Sequence, residues 1–305
     1  MIVVEETSER LVVKSPGKVN LFFEVLGQRP DGFHEIVTVM QEVSIFDTLT
    51  VETRPDPGIR LVCNDPLLNS GKENLVHRAA RVFLERYGGT HGVTVHLDKG
   101  IPAGAGLGGG SGDAATAMAA LDRLLQCSLG VEELRRAAAT VGSDCPFFVT
   151  GATALCRGRG EIVEPLPFFP KYNFLVVRPR FEISTGAVYR HMALKLRNRE
   201  KPVGVPLDEL RSGDVERARA AIFNRLEESA LDLVPDLTEI RDALDRCGFP
   251  HFRLTGSGSA FFGLFGAAGE AQAAAATIRQ HFPDLPADLL PLEGGGVVPV
   301  GARRI

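Results

Sequence analysis

Apolar positions in the first third of the chain fall into short runs rich in β-branched residues. Segments 11–13, 19–26, 37–43 and 48–51 are of this kind, the pattern of strands with one or both faces buried. Asp31-Gly32 lies between two of these runs and predicts a hairpin. The period changes at 74–87, where Leu75, Ala79, Val82 and Phe83 recur at helical spacing and Gly88-Gly89 follows as a stop. Val93, Val95 and Leu97 return to alternation and predict a strand. An Ala-rich helix is expected over about 113–126 and a second over about 131–141, followed by strand-like runs at 146–149 and 152–156.

Pro165, Pro167 and Pro170 crowd one short stretch. Prolines so placed mark a boundary, which divides the chain into an N-terminal domain, 1–167, and a C-terminal domain, 168–305. Beyond it the pattern predicts strands at 174–177, 251–254 and 260–265. Helices are expected at about 215–230, 237–247 and 270–282. The charged stretch 195–206 reads as an irregular loop. Helices alternating with paired strands indicate an α+β sandwich for this half.

Composition narrows the function classes. Of 305 residues 44% are hydrophobic and 24% charged, as in an ordinary globular chain, with formal net charge −4. A protein that grips nucleic-acid backbones is normally basic, so no nucleic-acid partner is expected. No run approaches the ~20 apolar residues that span a bilayer, and the N-terminus lacks a signal-peptide pattern, so the expectation is a cytoplasmic protein without a membrane partner. The five cysteines form no C-x-x-C pair and the seven histidines no H-E-x-x-H, so reduced thiols and no protein-held metal are expected.

Glycine is concentrated in one place. Seven of the thirteen positions from 100 to 112 are glycine, against 33 in the whole chain. Glycine in such numbers costs conformational entropy, and bare N–H groups running into a helix N-terminus suit a phosphate. No G-x-x-x-x-G-K-[ST] occurs, so this is not a P-loop. Gly104-x-Gly106-x-x-Gly109 matches the dinucleotide pattern, but Lys99 to Ala103 separate it from the preceding strand, unlike a Rossmann turn. Asp113 reads as the N-cap of the following helix; beside a phosphate it would call for Mg²⁺ carried in with a nucleotide.

Two further constellations carry polar groups. Lys18 and Asn20 are two apart on a strand and share a face. Asp144 lies in Gly142-Ser143-Asp144-Cys145-Pro146 between a helix end and an apolar run, and Thr255-Gly256-Ser257-Gly258-Ser259 makes a tight turn between two strands. A phosphate cradle, a lysine and a carboxylate are the parts that phosphoryl transfer requires. The protein-kinase motifs and the G-x-S-x-G of serine hydrolases are absent.

The run Pro102-Ala103-Gly104-Ala105-Gly106-Leu107-Gly108-Gly109-Gly110-Ser111 resembles the phosphate loop of the GHMP small-molecule kinase superfamily. P-G-K-V-N-L at 16–21, G-Q-R-P-D-G-F-H at 27–34, G-S-D-C-P-F-F at 142–148, R-G-R-G-E at 157–161, S-T-G-A-V-Y at 184–189 and T-G-S-G-S at 255–259 extend the likeness over nearly the whole chain. They resemble in particular the branch acting on a cytidine-diphosphate-linked methylerythritol. The resemblance implies a two-domain α+β fold: a ribosomal-protein-S5-domain-2-like N-terminal domain, a ferredoxin-like C-terminal sandwich and a site in the cleft. It implies ATP with Mg²⁺ as co-substrate, held by residues 102–111 and Gly112. Asp144 would be the general base on the acceptor hydroxyl, and Lys18 would neutralise the transferring phosphoryl group. Asn20 and Asp31 would line the acceptor site, His34 would bond the cytosine edge, and Tyr189 would stack on it. A monomer or weak homodimer is expected. Another GHMP kinase, acting on homoserine, mevalonate or a sugar, and a non-catalytic nucleotide sensor are the alternatives. Gly17, Gly112 and Arg225 depart from the family pattern, Gly112 replacing a serine at the phosphate loop.

Overall fold

A computed structural model describes residues 2–68, 71–88, 90–196, 203–295 and 303–304. Half of the expected loop at 195–206, residues 197–202, lies outside them, while 195–196 end a helix and not a loop. The first elements are β1 (Ile2–Glu6), β2 (Arg10–Gln28), β3 (His34–Arg54) and β4 (Gly58–Cys63). The runs predicted over 11–26 are one strand of 19 residues, and those over 37–51 belong to one of 21. The two pair antiparallel across the predicted hairpin, from Arg10↔Glu52 to Gln28↔His34. The ladder shifts register at Pro16/Gly17 and again at Asn20/Phe22. Pro16 has no N–H to give to a ladder, and such irregularities re-aim side chains. Lys18 and Asn20 lie between the two shifts.

Helix α1 (Leu75–Phe83) begins where Asn74 caps it, the side chain accepting from the Val76 N–H. Its last predicted turn winds instead as a π-turn, Leu84–Gly88. Strand β5 (Gly92–Asp98) pairs with the C-terminal half of β3. Helix α2 (Gly109–Leu124) starts four residues before the predicted helix, inside the glycine run. Asp113 is therefore not its N-cap. Its carboxylate is buried and accepts from Lys99 Nζ at 2.8 Å, and Lys99 also bonds Asp47. Asp47 Oδ1 accepts the Gly100 and Ile101 N–H groups, each at 2.7 Å. This buried triad anchors the chain just before the glycine loop. Burial holds the Asp113 carboxyl well above the ordinary carboxylate range, against the pull of Lys99.

Helix α3 (Val131–Ala139) follows as expected, but the strand predicted over 146–149 is a short helix, α4 (Cys145–Thr150) with Pro146 in its first turn. Phe147 and Phe148 read as strand formers, yet both bury on a helix in a cluster with Met40, Ala115, Ala154 and Cys156. Strand β6 (Thr153–Gly158) pairs with the N-terminal half of β3, and β7 (Ile162–Pro165) with β6.

The second half contains β8 (Asn173–Pro179), α5 (Thr185–Leu196), α6 (Leu207–Arg211) and α7 (Val215–Ala221), then β9 (Phe223–Asn224), α8 (Glu227–Leu233), α9 (Pro235–Arg246) and β10 (Arg253–Leu254). β11 (Phe261–Phe265), α10 (Ala268–His281), β12 (Ala287–Glu293) and β13 (Arg303–Arg304) complete it. The order β10-β11-β8-β12 makes an antiparallel sheet, while β13 and β9 join the first sheet on β1 and β2. An apolar cluster including Val19, Phe22, Leu107, Phe174 and Phe262 packs the two halves together. The architecture is α+β, as expected. Neither α5 nor β12 is legible in the hydrophobic pattern.

The helix predicted over 215–230 is interrupted at β9. Arg225, the unexplained departure, accounts for the break. Its Nε and Nη2 donate to the two oxygens of Glu24, each at 2.7 Å, and its N–H donates to the Phe23 carbonyl. Glu24 is fully buried. Burial alone would raise its carboxyl; Arg225 and the Val203 and Val25 N–H groups bring it below the ordinary value. Removing one partner of a buried pair strands the other charge at a cost of roughly 3–5 kcal/mol. Arg225→Met is therefore expected to lower the unfolding free energy by about 3 kcal/mol in urea titrations, with much of the loss recovered by adding Glu24→Gln. A single-variant loss under ~1 kcal/mol would demote the pair to a surface bridge. Because the folded carboxyl sits below its unfolded value, the pair's contribution persists at neutral pH and is lost as pH falls through the lowered value.

Candidate active site

Two cavities lie side by side, the first between the halves and the second in the N-terminal half with Thr185 on its edge. The first, about 580 Å³, is lined by Lys18, Asn20, Phe33, His34, Ser143, Asp144, Arg159, Tyr189 and the 256–257 turn, among others. The second, about 600 Å³, is lined by Asn74, Leu75, Lys99, Pro102 through Ser111, and Asp113. They share Gly106, Gly108 and Thr185. A molecule in one cavity can therefore meet a molecule in the other across the glycine loop.

The loop's shape requires its glycines. Gly104, Gly106 and Gly108 have φ of +65°, +78° and +74°, a left-handed conformation that side chains disfavour. Space forbids a side chain too: a Cβ on Gly106 would stand 2.2 Å from the Thr255 carbonyl oxygen, and one on Gly108 would meet Phe148 and the Lys18 stem near 3 Å. Gly112 does not line the second cavity. A Cβ there would lie 2.8 Å from Ser15 Oγ and 3.0 Å from the Pro16 carbonyl oxygen, so a serine at this position would point at β2.

Lys18 is held from both sides. Its Nζ donates to Asn20 Oδ1 at 2.7 Å and to the Gly106 carbonyl at 2.6 Å, and its own N–H donates to the Leu107 carbonyl. The ammonium thus sits at the junction of the two cavities. Burial lowers its pKa below the ordinary 10.5, opposed by the charge of Asp144. Asn20 is itself fixed: Nδ2 donates to Thr38 Oγ1 at 2.9 Å, and Oδ1 also accepts from Thr255 Oγ1 at 3.2 Å. The Thr255 turn, open to reading as a plain hairpin, is part of this network.

Asp144 occupies the N-cap position of α4 without a side-chain capping bond. Asp144 lines the first cavity. The neighbouring thiols supply no nucleophile: burial pushes Cys145 up to about 12, and Cys156 is raised for the same reason, with Asp144 adding to both.

On the wall of the same cavity, His34 and Tyr189 meet with ring centroids 4.8 Å apart. His34 Nε2 is buried without a hydrogen-bond partner among the described residues. Burial lowers the His34 pKa, which keeps the ring neutral, and raises that of the Tyr189 phenol. A buried polar atom without a partner is costly unless a ligand supplies one. Five of the expected site residues, Lys18, Asn20, His34, Asp144 and Tyr189, thus converge on one cavity. Asp31 does not line it. It is exposed on the hairpin, paired with Arg29, and accepts the Phe33 N–H at 3.1 Å, so it shapes the turn that carries Phe33 and His34. Sequence reading passed over Phe33, Arg159, Thr185 and Lys99. The first three sit inside the quoted motifs, but nothing in their spacing marks them. Among the described residues no group of three or more His, Cys, Asp or Glu could hold a metal ion, and no helix is long and apolar enough to cross a membrane.

Comparison with known proteins identifies the family. The family profile "GHMP kinases N terminal domain" matches residues 74–152 and "GHMP kinases C terminal" matches 207–284. The chain is 37% identical to the 4-diphosphocytidyl-2-C-methyl-D-erythritol kinase of Acaryochloris marina over 292 residues, covering 91% of this chain and 94% of that one. It is also 37% identical to the kinase of the same name from Heliobacterium modesticaldum, covering 88% and 90%. A crystal structure of 4-(cytidine 5'-diphospho)-2C-methyl-D-erythritol kinase superposes with a TM-score of 0.77 at 35% identity, covering 94% of this chain and all of that one. Homoserine kinase from Cytophaga hutchinsonii shares the fold, with a TM-score of 0.75 at 19% identity.

Proposed function

Because the chain belongs to the GHMP kinases, and among them to the 4-diphosphocytidyl-2-C-methyl-D-erythritol kinases, we propose that it transfers the γ-phosphoryl group of ATP to the 2-hydroxyl of 4-diphosphocytidyl-2-C-methyl-D-erythritol. The product feeds isoprenoid precursor synthesis by the methylerythritol phosphate route. The observation that carries this reading is the meeting of two cavities at Gly106 and Gly108, with the Lys18 ammonium at the junction and Asp144 lining the first cavity.

In this reading ATP enters with Mg²⁺ as its counter-ion. The N–H groups of residues 102–111 and the start of α2 cradle its phosphates. The acceptor lies in the first cavity with its hydroxyl between Asp144 and the γ-phosphorus. The hydroxyl oxygen attacks phosphorus, the bond to the β,γ-bridging oxygen breaks, ADP leaves, and the hydroxyl proton passes to Asp144. Lys18 offsets the charge on the transferring group. Asn20 holds Lys18 in place, a positioning role set by its hydrogen bonds. His34 Nε2 reaches the cytosine edge, and Tyr189 and Phe33 offer aromatic faces to the base.

The test is ADP release with MgATP and the cytidine compound, run beside homoserine and mevalonate. Turnover confined to the cytidine compound is expected. Turnover with another alcohol alone would keep the phosphate loop and discard the base-recognition roles. A Tyr189→Ala variant should raise the KM for the cytidine compound about tenfold or more, since base stacking is worth roughly 1–3 kcal/mol, and leave that for ATP nearly unchanged. Equal effects on both constants would defeat the stacking role.

A further inference from the structure

The proposed acceptor has three parts in a row, a base, a diphosphate and a polyol, and the first cavity has been matched only to its two ends. Its wall carries the aromatic rings of Phe33, His34 and Tyr189 and the carboxylate of Asp144. The middle part is anionic and calls for a cation on the wall between them. Lys18 is already engaged by Asn20 and Gly106. Arg159 stands at the right place. Its guanidinium lies 4.7 Å from the centroid of the Phe33 ring. The next residue, Gly160, comes close to the carboxylate: a Cβ there would stand 3.3 Å from Asp144 Oδ1.

The arginine is held without being used up. It sits in the turn between β6 and β7, flanked by Gly158 and Gly160 at φ +74° and +117°. Its backbone N–H donates to Glu161 Oε2 and the Gly160 N–H to the Arg157 carbonyl, so the turn is rigid. Its Nε is 3.7 Å from Glu161 Oε1, beyond hydrogen-bond length, and among the described residues the guanidinium donates no hydrogen bond. The side chain is only 27% exposed. A half-buried planar fork with free donors, resting on an aromatic ring, is suited to phosphate oxygens.

Resting on the kinase reading above, we infer that Arg159 reads the diphosphate of the acceptor and so selects a nucleoside diphosphate ester over a plain nucleoside or a polyol. Titrations of cytidine 5'-diphosphate and of cytidine, each with the nucleotide cavity saturated by a non-hydrolysable ATP analogue, test this. Wild type should bind the diphosphate much more tightly than cytidine. Arg159→Leu, which keeps an apolar cover on Phe33, should weaken diphosphate binding about tenfold, the loss expected for a charge-assisted hydrogen bond, and leave cytidine binding within about twofold. Arg159→Lys should fall between, because an ammonium keeps the charge without the fork. Binding of the ATP analogue serves as the folding control and should not change. Equal weakening of both ligands would overturn the inference, since Arg159 would then only prop Phe33. Unchanged diphosphate binding would overturn it too, placing the anion elsewhere, with Arg190 the next cation on the wall. Wild type that binds neither cytidine nor its diphosphate would instead bring down the cytidine reading on which this inference stands.

Discussion

Asp144→Asn is expected to cut turnover by about three orders of magnitude while nucleotide binding is largely kept. The substitution is nearly isosteric and removes only the capacity to take a proton, and a positioned base contributes roughly 10²–10⁴-fold. Nucleotide binding should survive because Asp144 lines the first cavity and not the one lined by residues 102–111. A second effect follows from the charge balance. Asp144 is the first of the influences that raise the Lys18 pKa against burial. Without it Lys18 should lose its proton more readily, so residual activity should fail at lower pH than in wild type. Single-turnover rates across a pH series separate the two effects, and titration with an ATP analogue checks that nucleotide binding is kept. Turnover comparable to wild type would remove Asp144 from the role of base.

Lys18→Met is expected to lower kcat by roughly 10²–10³-fold, the scale found when one electrostatic donor to a transition state is deleted. The ammonium contacts Asn20 and Gly106 directly, so part of the loss reflects a loosened glycine loop. An effect confined to the KM for ATP would reduce Lys18 to a binding residue. Arginine should not substitute, because Lys18 is buried and the Gly108 backbone packs against its stem. The pH dependence gives an independent readout. Lys18 must be protonated to act, and burial lowers its pKa below the ordinary 10.5. The alkaline limb of kcat/KM for ATP should therefore lie below 10.5. In kcat it should move upward, because bound phosphates favour the charged form. A limb at the ordinary lysine value would mean that the free enzyme does not desolvate this group.

The elements that followed their own local periodicity were legible. α1, α3, α9 and α10, the strand β5 and the β2–β3 hairpin fall close to where spacing and turn residues put them. The misread elements depend on distant partners. Residues 146–149 carry strand-forming aromatics, but Pro146 opens a helical turn and Phe147 and Phe148 bury against Met40 and Ala115. The pattern over 215–230 looks like one helix, but Phe223 and Asn224 pair with β2, and Arg225 reaches the buried Glu24.

The candidate site divides along the same line. By itself the sequence pointed to the chemistry: a loop with seven glycines in thirteen positions running into a helix, and a lysine and a carboxylate set in apolar surroundings. These are local facts, carried by residue type and spacing. Tertiary structure alone decided which polar groups meet. It sent Asp113 to Lys99 and not to a helix cap, turned Gly112 toward β2, left Asp31 on the rim of its hairpin, and brought Phe33 and Arg159 onto the cavity wall. The physical reason is that a buried charge or donor is settled by whichever partner the packing of remote segments brings within about 3 Å, and nothing in the spacing of residues along the chain encodes that distance.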